Sequence, residues 1–172
     1  VYAVTGNQDN SRTAMGLKHI GIKVAKTHTI PCNGCKISLM HGEDLGYSPT
    51  TDDLEEAREF LNADILVWGH THQLKVLWEN GHLFLNPGTI TGAYRLSWAR
   101  FGKFVPLLLK RVAAEAYYFT KTGEFLPVQP SFIILNIGKN NVEVERYTIE
   151  ESKVKLKKEI IERRQDALSL FS

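Results

Sequence analysis

The sequence predicts an α/β protein whose strands form a mixed, layered sheet. In the first half of the 172-residue chain, short apolar runs alternate with a helical pattern over residues 52–62. In the second half, consecutive strand-like runs follow one another across short turns and predict β-hairpins. Two Asn-Gly pairs, at residues 33–34 and 80–81, separate such runs, and Asn-Gly is the strongest short-range hairpin signal.

The individual elements follow from local patterns. A helix is expected over residues 52–62, because acidic residues fill its first turn and apolar residues recur on one face. Thr50 or Thr51 is the expected N-cap. Residues 11–18 are predicted to form a short helix or a loop. The predicted strands cover residues 1–4, 19–29, 36–40, 64–68, 75–78, 82–85, 132–137, 142–149 and 153–159.

The chain is expected to form one domain over residues 1–158, followed by a charged tail over residues 159–172 that could form a short helix. Residues 99–129 interrupt the strand pattern, because apolar residues recur there at helical spacing with lysine and arginine between them. We interpret this segment as an inserted basic amphipathic helix. Such a helix could lie on an anionic membrane or extend a partner interface. Alternatively, the segment simply packs on the domain or is a mobile, lineage-specific loop.

The composition excludes several classes of protein. The formal net charge of +2 is too small to indicate a nucleic-acid-binding protein, and 43% hydrophobic with 23% charged residues is typical of a globular protein. We expect no membrane span, because no run approaches the roughly 18 to 20 apolar residues that one needs. We also expect no signal peptide. The sequence starts within a predicted strand, so further residues are expected before Val1.

Cys32 and Cys35 flank the first Asn-Gly pair and are the two cysteines of the chain. The pattern favours a type I′ hairpin whose flanking residues happen to be cysteines. A redox or metal-binding role is the alternative. A zinc site with four cysteines is excluded within one chain, because it needs more thiolates than this sequence has.

Polar side chains follow three apolar runs at the point where each run ends. Asn7 follows the first, His41 follows residues 37–40, and His70 with His72 follows residues 65–68. Because ligand sites in layered α/β sheets lie at the carboxyl ends of strands, these four side chains could meet at one point. Imidazole and amide oxygen suit Zn, Mn or Fe. A single histidine is more often structural or solvated, which is the expected role of the remaining histidines, His19, His28 and His82.

Four motifs occur together in order: Gly6-Asn7-Gln8-Asp9, His41-Gly42, Gly69-His70-Thr71-His72 and Asn86-Pro87-Gly88. In this combination the chain resembles the calcineurin-like metallophosphoesterase superfamily. Residues 87–94, 130–135 and 154–157 are similar to the retromer-subunit family of vacuolar protein sorting-associated protein 29. The resemblance covers most of residues 1–98 and 130–158. It implies a layered β-sandwich flanked by helices, apparently without the first strands of the family fold.

The resemblance implies that Asn7, His41 and His70 are ligands of one divalent ion, zinc or manganese, and that His72 is a ligand of a second ion. The family's Asp-x-His and Gly-Asp motifs would precede Val1, so the metal site is incomplete in this chain. Gln8 stands where active phosphoesterases carry a catalytic histidine. Since glutamine cannot protonate a leaving alkoxide, a general-acid contribution of about 10²–10⁴-fold would be lost.

The function implied by the resemblance is that of a cytoplasmic scaffold, peripheral on endosomal membranes, in retromer-dependent protein sorting. The metal-pocket face would dock on the helical solenoid of vacuolar protein sorting-associated protein 35. On the opposite side, a hydrophobic patch including Tyr147 and Ile149 would bind Rab-GTPase regulators. A metal-dependent phosphodiesterase is the alternative function.

Overall fold

A computed structural model describes residues 1–46, 48–91, 129–150 and 153–162. The predicted insertion lies outside these residues up to residue 128, as does the tail from residue 163. The strands are β1 Tyr2–Val4, β2 Lys23–Ala25, β3 Thr27–Cys32, β4 Cys35–Met40, β5 Ile65–Val67, β6 Leu74–Glu79, β7 His82–Pro87, β8 Ser131–Ile137, β9 Asn141–Glu150 and β10 Lys153–Glu162. The helices are α1 Ser11–His19, a short 3-10 helix Glu43–Leu45 and α2 Thr51–Phe60.

Three sheets contain these strands. The largest has the order β3-β4-β5-β7-β6, in which β4, β5 and β7 are parallel and the two outer strands are antiparallel to their neighbours. A second, antiparallel sheet has the order β10-β9-β8. Strands β1 and β2 form a small parallel pair. The expected α/β fold with a mixed, layered sheet is therefore confirmed.

The five-stranded sheet is the middle layer, because apolar cores lie on both of its faces. On one face, Ile65 packs with side chains of β7 and with Val142 and Val144 of the three-stranded sheet. On the other face, Leu66 and Trp68 pack against Leu54 of α2. Strand β5 is buried from both sides, and for this reason its sequence is a continuous apolar run rather than an alternating one.

Both predicted Asn-Gly hairpins are confirmed. The turn between β3 and β4 has positive φ at Asn33 (48°) and Gly34 (75°), and the turn between β6 and β7 has positive φ at Asn80 (50°) and Gly81 (81°). Positive φ at both central residues defines the type I′ turn, whose twist matches that of the flanking strands. The first turn is also anchored, since the Asn33 side-chain amide donates to the Ile137 carbonyl at 2.6 Å.

Helix α2 begins at a capping box. The hydroxyl of Thr50 accepts a hydrogen bond from the Asp53 amide at 3.2 Å, and the Asp53 carboxylate accepts from the Thr50 amide at 2.8 Å. The Thr50 hydroxyl also donates to this carboxylate, and these hydrogen bonds lower the pKa of Asp53. Two backbone amides at the start of the helix thus have hydrogen-bond partners. Thr50, one of the two predicted residues, is therefore the N-cap.

Two sequence-based predictions are wrong. Residues 19–29 do not form one strand: α1 continues to His19, the chain turns at Gly21 (φ 84°), and two separate strands follow. The Asn10 side chain, which accepts from the Thr13 amide at 2.9 Å, caps α1 and so favours a helix there. The expected helix from residue 160 is also absent up to Glu162, because β10 continues and Ile161 packs into the core opposite Val142.

His28 has the structural role that the sequence favoured. Its Nε2 donates to the carbonyl of Ala3 at 3.1 Å and to that of Lys23 at 3.0 Å. The ring therefore ties the small β1–β2 pair to β3. None of the described helices is long and apolar enough to cross a membrane.

The layered arrangement predicts how two identical substitutions differ. Leu66→Ala removes a fully buried side chain from the core beside α2 and should lower the free energy of unfolding by about 2–5 kcal/mol. Leu156→Ala removes a side chain that is 53% exposed on β10 and should change it by less than about 0.5 kcal/mol. Urea unfolding of both variants measures the difference. Equal losses would contradict the placement of the cores.

Candidate metal centre

Three strand ends bring the predicted ligands together. His41 follows β4 and His70 follows β5, and because these strands are parallel neighbours their carboxyl ends lie at the same edge of the sheet. The Gly69 amide donates to the His41 carbonyl at 2.9 Å, which continues the pairing one step beyond the strands. Asn7 follows β1, which belongs to the separate two-stranded sheet. The site therefore joins two sheets.

The side chains of Asn7, His41 and His70 are in direct contact. His41 Nε2 lies 3.2 Å from Asn7 Oδ1 and 3.3 Å from His70 Nδ1. The two imidazole rings meet edge to face, with centroids 5.2 Å apart. His72 acts on His70 electrostatically and so belongs to the same neighbourhood. These positions agree with the grouping expected from the sequence, whereas a role as metal ligands stays a prediction.

The glycine before Asn7 leaves room for His41. A Cβ atom placed on Gly6 would lie 2.6 Å from Cε1 of the His41 ring, closer than real Cβ contacts come. The Gly6 amide also donates to the Asp9 carboxylate at 2.8 Å, which closes the turn after β1. Asp9 is thus engaged by its own turn, and Gly6 is a packing requirement of the site.

The Gly-His-Thr-His loop has a strained backbone that a buried amide holds in place. His70 and His72 have φ of 63° and 60°, a region that side-chain-bearing residues seldom occupy. The fully buried Asn86 side chain donates to the Gly69 carbonyl and to the Thr71 hydroxyl, each at 2.9 Å. Its Oδ1 accepts from the Gly88 amide at 3.0 Å. Asn86 was not among the predicted site residues, although the Asn86-Pro87-Gly88 motif contains it.

The surroundings of His70 favour its neutral imidazole form. Burial lowers the pKa of His70 most strongly, and the neighbouring His41 and His72 lower it further. The carboxylate of Glu43 opposes them and raises this pKa. A neutral ring keeps a nitrogen lone pair for coordination. Glu43 lies in the 3-10 helix just after His41 and is a second site residue that motif reasoning missed, because a carboxylate two residues beyond a histidine is not distinctive.

Two of the contacting donors have the separation of ligands that share one metal ion. Two nitrogens bound tetrahedrally to the same zinc ion lie about 3.3 Å apart, which matches the separation of His41 Nε2 and His70 Nδ1. Within the described ranges, no three His, Cys, Asp or Glu side chains are grouped to hold a metal. The Asn7 amide oxygen, 3.2 Å from His41 Nε2, stays the third predicted donor. The described residues do not supply the carboxylates that the expected two-ion site requires.

Comparison with known sequences connects this arrangement to one domain family. The profile of the calcineurin-like phosphoesterase superfamily domain matches residues 1–102. A segment of 38 residues is 45% identical to vacuolar protein sorting-associated protein 29 of Saccharomyces cerevisiae. That segment covers 22% of this chain and 14% of the yeast protein, so the sequence match is local.

Comparison with solved structures extends the similarity over nearly the whole chain. A single-mutant Vps29 from Entamoeba histolytica is 27% identical, with a TM-score of 0.65 over 94% of this chain and 69% of that one. Vps29 from Cryptosporidium parvum is 26% identical, with a TM-score of 0.63 over 92% of this chain and 79% of that one. Wild-type Vps29 of Entamoeba histolytica complexed with zinc is 25% identical, with a TM-score of 0.61 over 92% and 81%.

The close approach of Gly6 to His41 predicts the effect of a single methyl group. Gly6→Ala should displace the His41 ring from Asn7 and His70 and weaken zinc binding by roughly tenfold or more. Gly16→Ala is the matched control, because a Cβ there meets nothing within 4 Å. Isothermal titration with zinc gives the affinities, and NMR of the metal-free variants reports the environment of the His41 ring. An unshifted ring with unchanged affinity in Gly6→Ala would contradict this geometry.

Proposed function

The chain belongs to the calcineurin-like phosphoesterase superfamily, and on this premise we propose that it is a retromer subunit of the Vps29 kind that acts as a binding scaffold. Its similarity to Vps29 sequences and structures supports this assignment. The observation that carries the scaffold role is an exposed apolar sheet surface on the side away from the five-stranded sheet.

This surface is formed by the outward side chains of β8, β9 and β10. We call it the outer apolar face; its members are Phe132, Ile134, Tyr147, Ile149, Val154 and Leu156. The rings of Phe132 and Tyr147 stack with centroids 4.6 Å apart and planes at 4°. Contiguous apolar surface of this kind marks interaction sites, because water leaves it readily when a partner binds. Tyr147 and Ile149 are the two residues expected from the sequence.

One end of the outer apolar face is bordered by charged side chains. Lys158 Nζ lies 2.8 Å from a carboxylate oxygen of Glu143 and 3.5 Å from one of Glu145. The Tyr147 hydroxyl donates to the other oxygen of Glu145 at 2.7 Å. An apolar centre with a polar border is the usual composition of a protein interface. The proposed partners of this surface are Rab-GTPase regulators.

The edge that carries the histidines is the proposed docking surface for the helical solenoid of vacuolar protein sorting-associated protein 35. Ile90 follows the carboxyl end of β7, which lies at the same edge of the sheet as the ends of β4 and β5. Its side chain is 76% exposed, so an apolar group at this edge is open to a partner. Binding to the solenoid would place the protein on endosomal membranes indirectly, through the complex.

Two aspartate substitutions should separate the two surfaces. Ile149→Asp introduces a charge into the outer apolar face and should weaken binding of a Rab-GTPase regulator by roughly 30-fold, the effect of losing an interface hot spot, while solenoid binding is retained. Ile90→Asp should have the reverse effect. Each variant is the control for the other, since both side chains are exposed and neither change should unfold the domain. Titration by biolayer interferometry measures both affinities.

If the chain is a scaffold, the purified and folded wild-type chain binds at least one of the two partners. Failure to bind either one would remove the proposal. If one substitution weakened the binding of both partners equally, the two surfaces would not be independent.

A metal-dependent phosphodiesterase is the second candidate function. The converging donors of Asn7, His41 and His70 favour it. A bound divalent ion would supply Lewis-acid activation of a phosphate and of water. The residues of the chain would hold that ion, but Gln8 cannot deliver a proton to the leaving group. We therefore rank this function below the scaffold.

A chromogenic assay tests the second candidate. With bis-p-nitrophenyl phosphate and Mn²⁺, we expect hydrolysis no faster than the metal ion alone produces, because the described residues group too few donors for the pair of ions that such hydrolysis commonly uses. His70→Ala and His82→Ala are compared with wild type, the latter changing a histidine at the start of β7 that makes no contact with the cluster in the described structure. Turnover that disappears in His70→Ala and persists in His82→Ala would make the protein an enzyme.

A further inference from the structure

The two cysteines face each other across the first hairpin. Cys32 ends β3, Cys35 begins β4, and the two residues are directly opposed in the antiparallel register. Directly opposed residues have Cα atoms about 4.5–5.5 Å apart and side chains on the same face of the sheet. Disulfide bonds join Cα atoms about 4.4–6.8 Å apart. The backbone is therefore already positioned for a cross-strand disulfide, while both cysteines are reduced thiols here.

The hairpin is held in this geometry by more than its own turn. Asn33 and Gly34 form the type I′ turn, and the Asn33 amide binds the carbonyl at the end of β8. Next along β4, Ile37 packs into the core between the sheets. Because both arms are fixed, closing a disulfide requires side-chain rotation rather than rearrangement of the strands.

The two thiols differ in access to solvent. Cys35 is buried, with 4% of its surface exposed, whereas Cys32 is only partly buried. Thiol–disulfide exchange needs one accessible thiolate to attack an external disulfide and a second one nearby to displace the mixed disulfide. Cys32 meets the first requirement, and Cys35 meets the second by its position in the register.

We propose that Cys32 and Cys35 are a redox modification site that forms a reversible disulfide with a low-molecular-weight disulfide such as oxidised glutathione. The Cys32 thiolate attacks one glutathione sulfur, so that one glutathione thiolate leaves and a mixed disulfide forms. The Cys35 thiolate then attacks Cys32 Sγ and releases the second glutathione. Two protein thiols are oxidised and one glutathione disulfide is reduced to two thiols, which balances the exchange.

The expected disulfide should add little to the stability of the fold, because the loop that it closes is short. The entropic stabilisation by a disulfide grows with the number of residues between the cysteines, and here Asn33 and Gly34 alone intervene. The site is also separate from the candidate metal centre: Cys35 opens β4, whereas His41 follows its other end. Formation of the disulfide can therefore be tested independently of the proposed function.

The experiment is a redox titration of the full chain under native conditions. The folded protein is equilibrated with mixtures of reduced and oxidised glutathione, quenched with acid, alkylated and analysed by intact and peptide mass spectrometry. We expect loss of two hydrogens and a peptide in which Cys32 is joined to Cys35. A protein that stays reduced in pure oxidised glutathione, or that accumulates a stable glutathione adduct, would overturn the proposal.

Two serine variants test the order of the steps. Cys35→Ser should accumulate one glutathionyl group on Cys32, because the resolving thiol is missing. Cys32→Ser should stay unmodified when folded and react only in urea, because Cys35 is buried. Circular dichroism verifies that each variant is folded. Rapid modification of folded Cys32→Ser would refute the assigned order, and protection of both wild-type thiols by added Zn²⁺ alone would replace the redox site with a metal site.

Discussion

The burial of β5 on both faces is the constraint on which the rest of the structure depends. Ile65 belongs to the core shared with the three-stranded sheet, whereas Leu66 belongs to the core under α2. The neighbouring strand repeats this alternation at Leu83 and Phe84. A register shift of one residue would exchange these side chains between the two cores, so the register is strongly determined. Since β4 and β7 flank β5 in parallel, this register also places three strand ends at one edge.

The buried side-chain amide of Asn86 connects the core of the sheet to the loop of the candidate metal centre. Asn86 lies next to the end of β7 without any exposed surface, so an unpaired amide there would be unfavourable by roughly 1–3 kcal/mol. Its donors are used by Gly69 and Thr71, on either side of His70. The loop that carries the imidazoles is therefore bonded to the most buried part of the sheet. This connection holds a turn with two residues at positive φ against the core.

Local signals in the sequence predicted the parts of the fold that depend on few residues. Both Asn-Gly hairpins were predicted because positive φ at two successive positions selects these residue types. The strand expected over residues 19–29 failed because its spaced apolar residues resemble those of a strand, while the competing helix cap at Asn10 lies outside the apolar pattern. In the site, the grouping of Asn7 with His41 and His70 followed from strand ends. The role of Asn86 could not be predicted from the sequence, because it depends on contacts between segments distant in sequence.

Backbone strain distinguishes the histidine cluster from an incidental group of polar residues. Among the residues that the structure describes, five that are not glycine have positive φ: Asn33, Asn62, His70, His72 and Asn80. Asparagine accommodates this conformation through its short polar side chain, and it fills all the positions outside the cluster. Each strained residue costs on the order of 1–3 kcal/mol, which persists where the surroundings enforce it. Glycine or asparagine would adopt this conformation at residues 70 and 72 at a lower cost. The strained positions within the cluster therefore carry imidazoles, whereas those outside it carry asparagine.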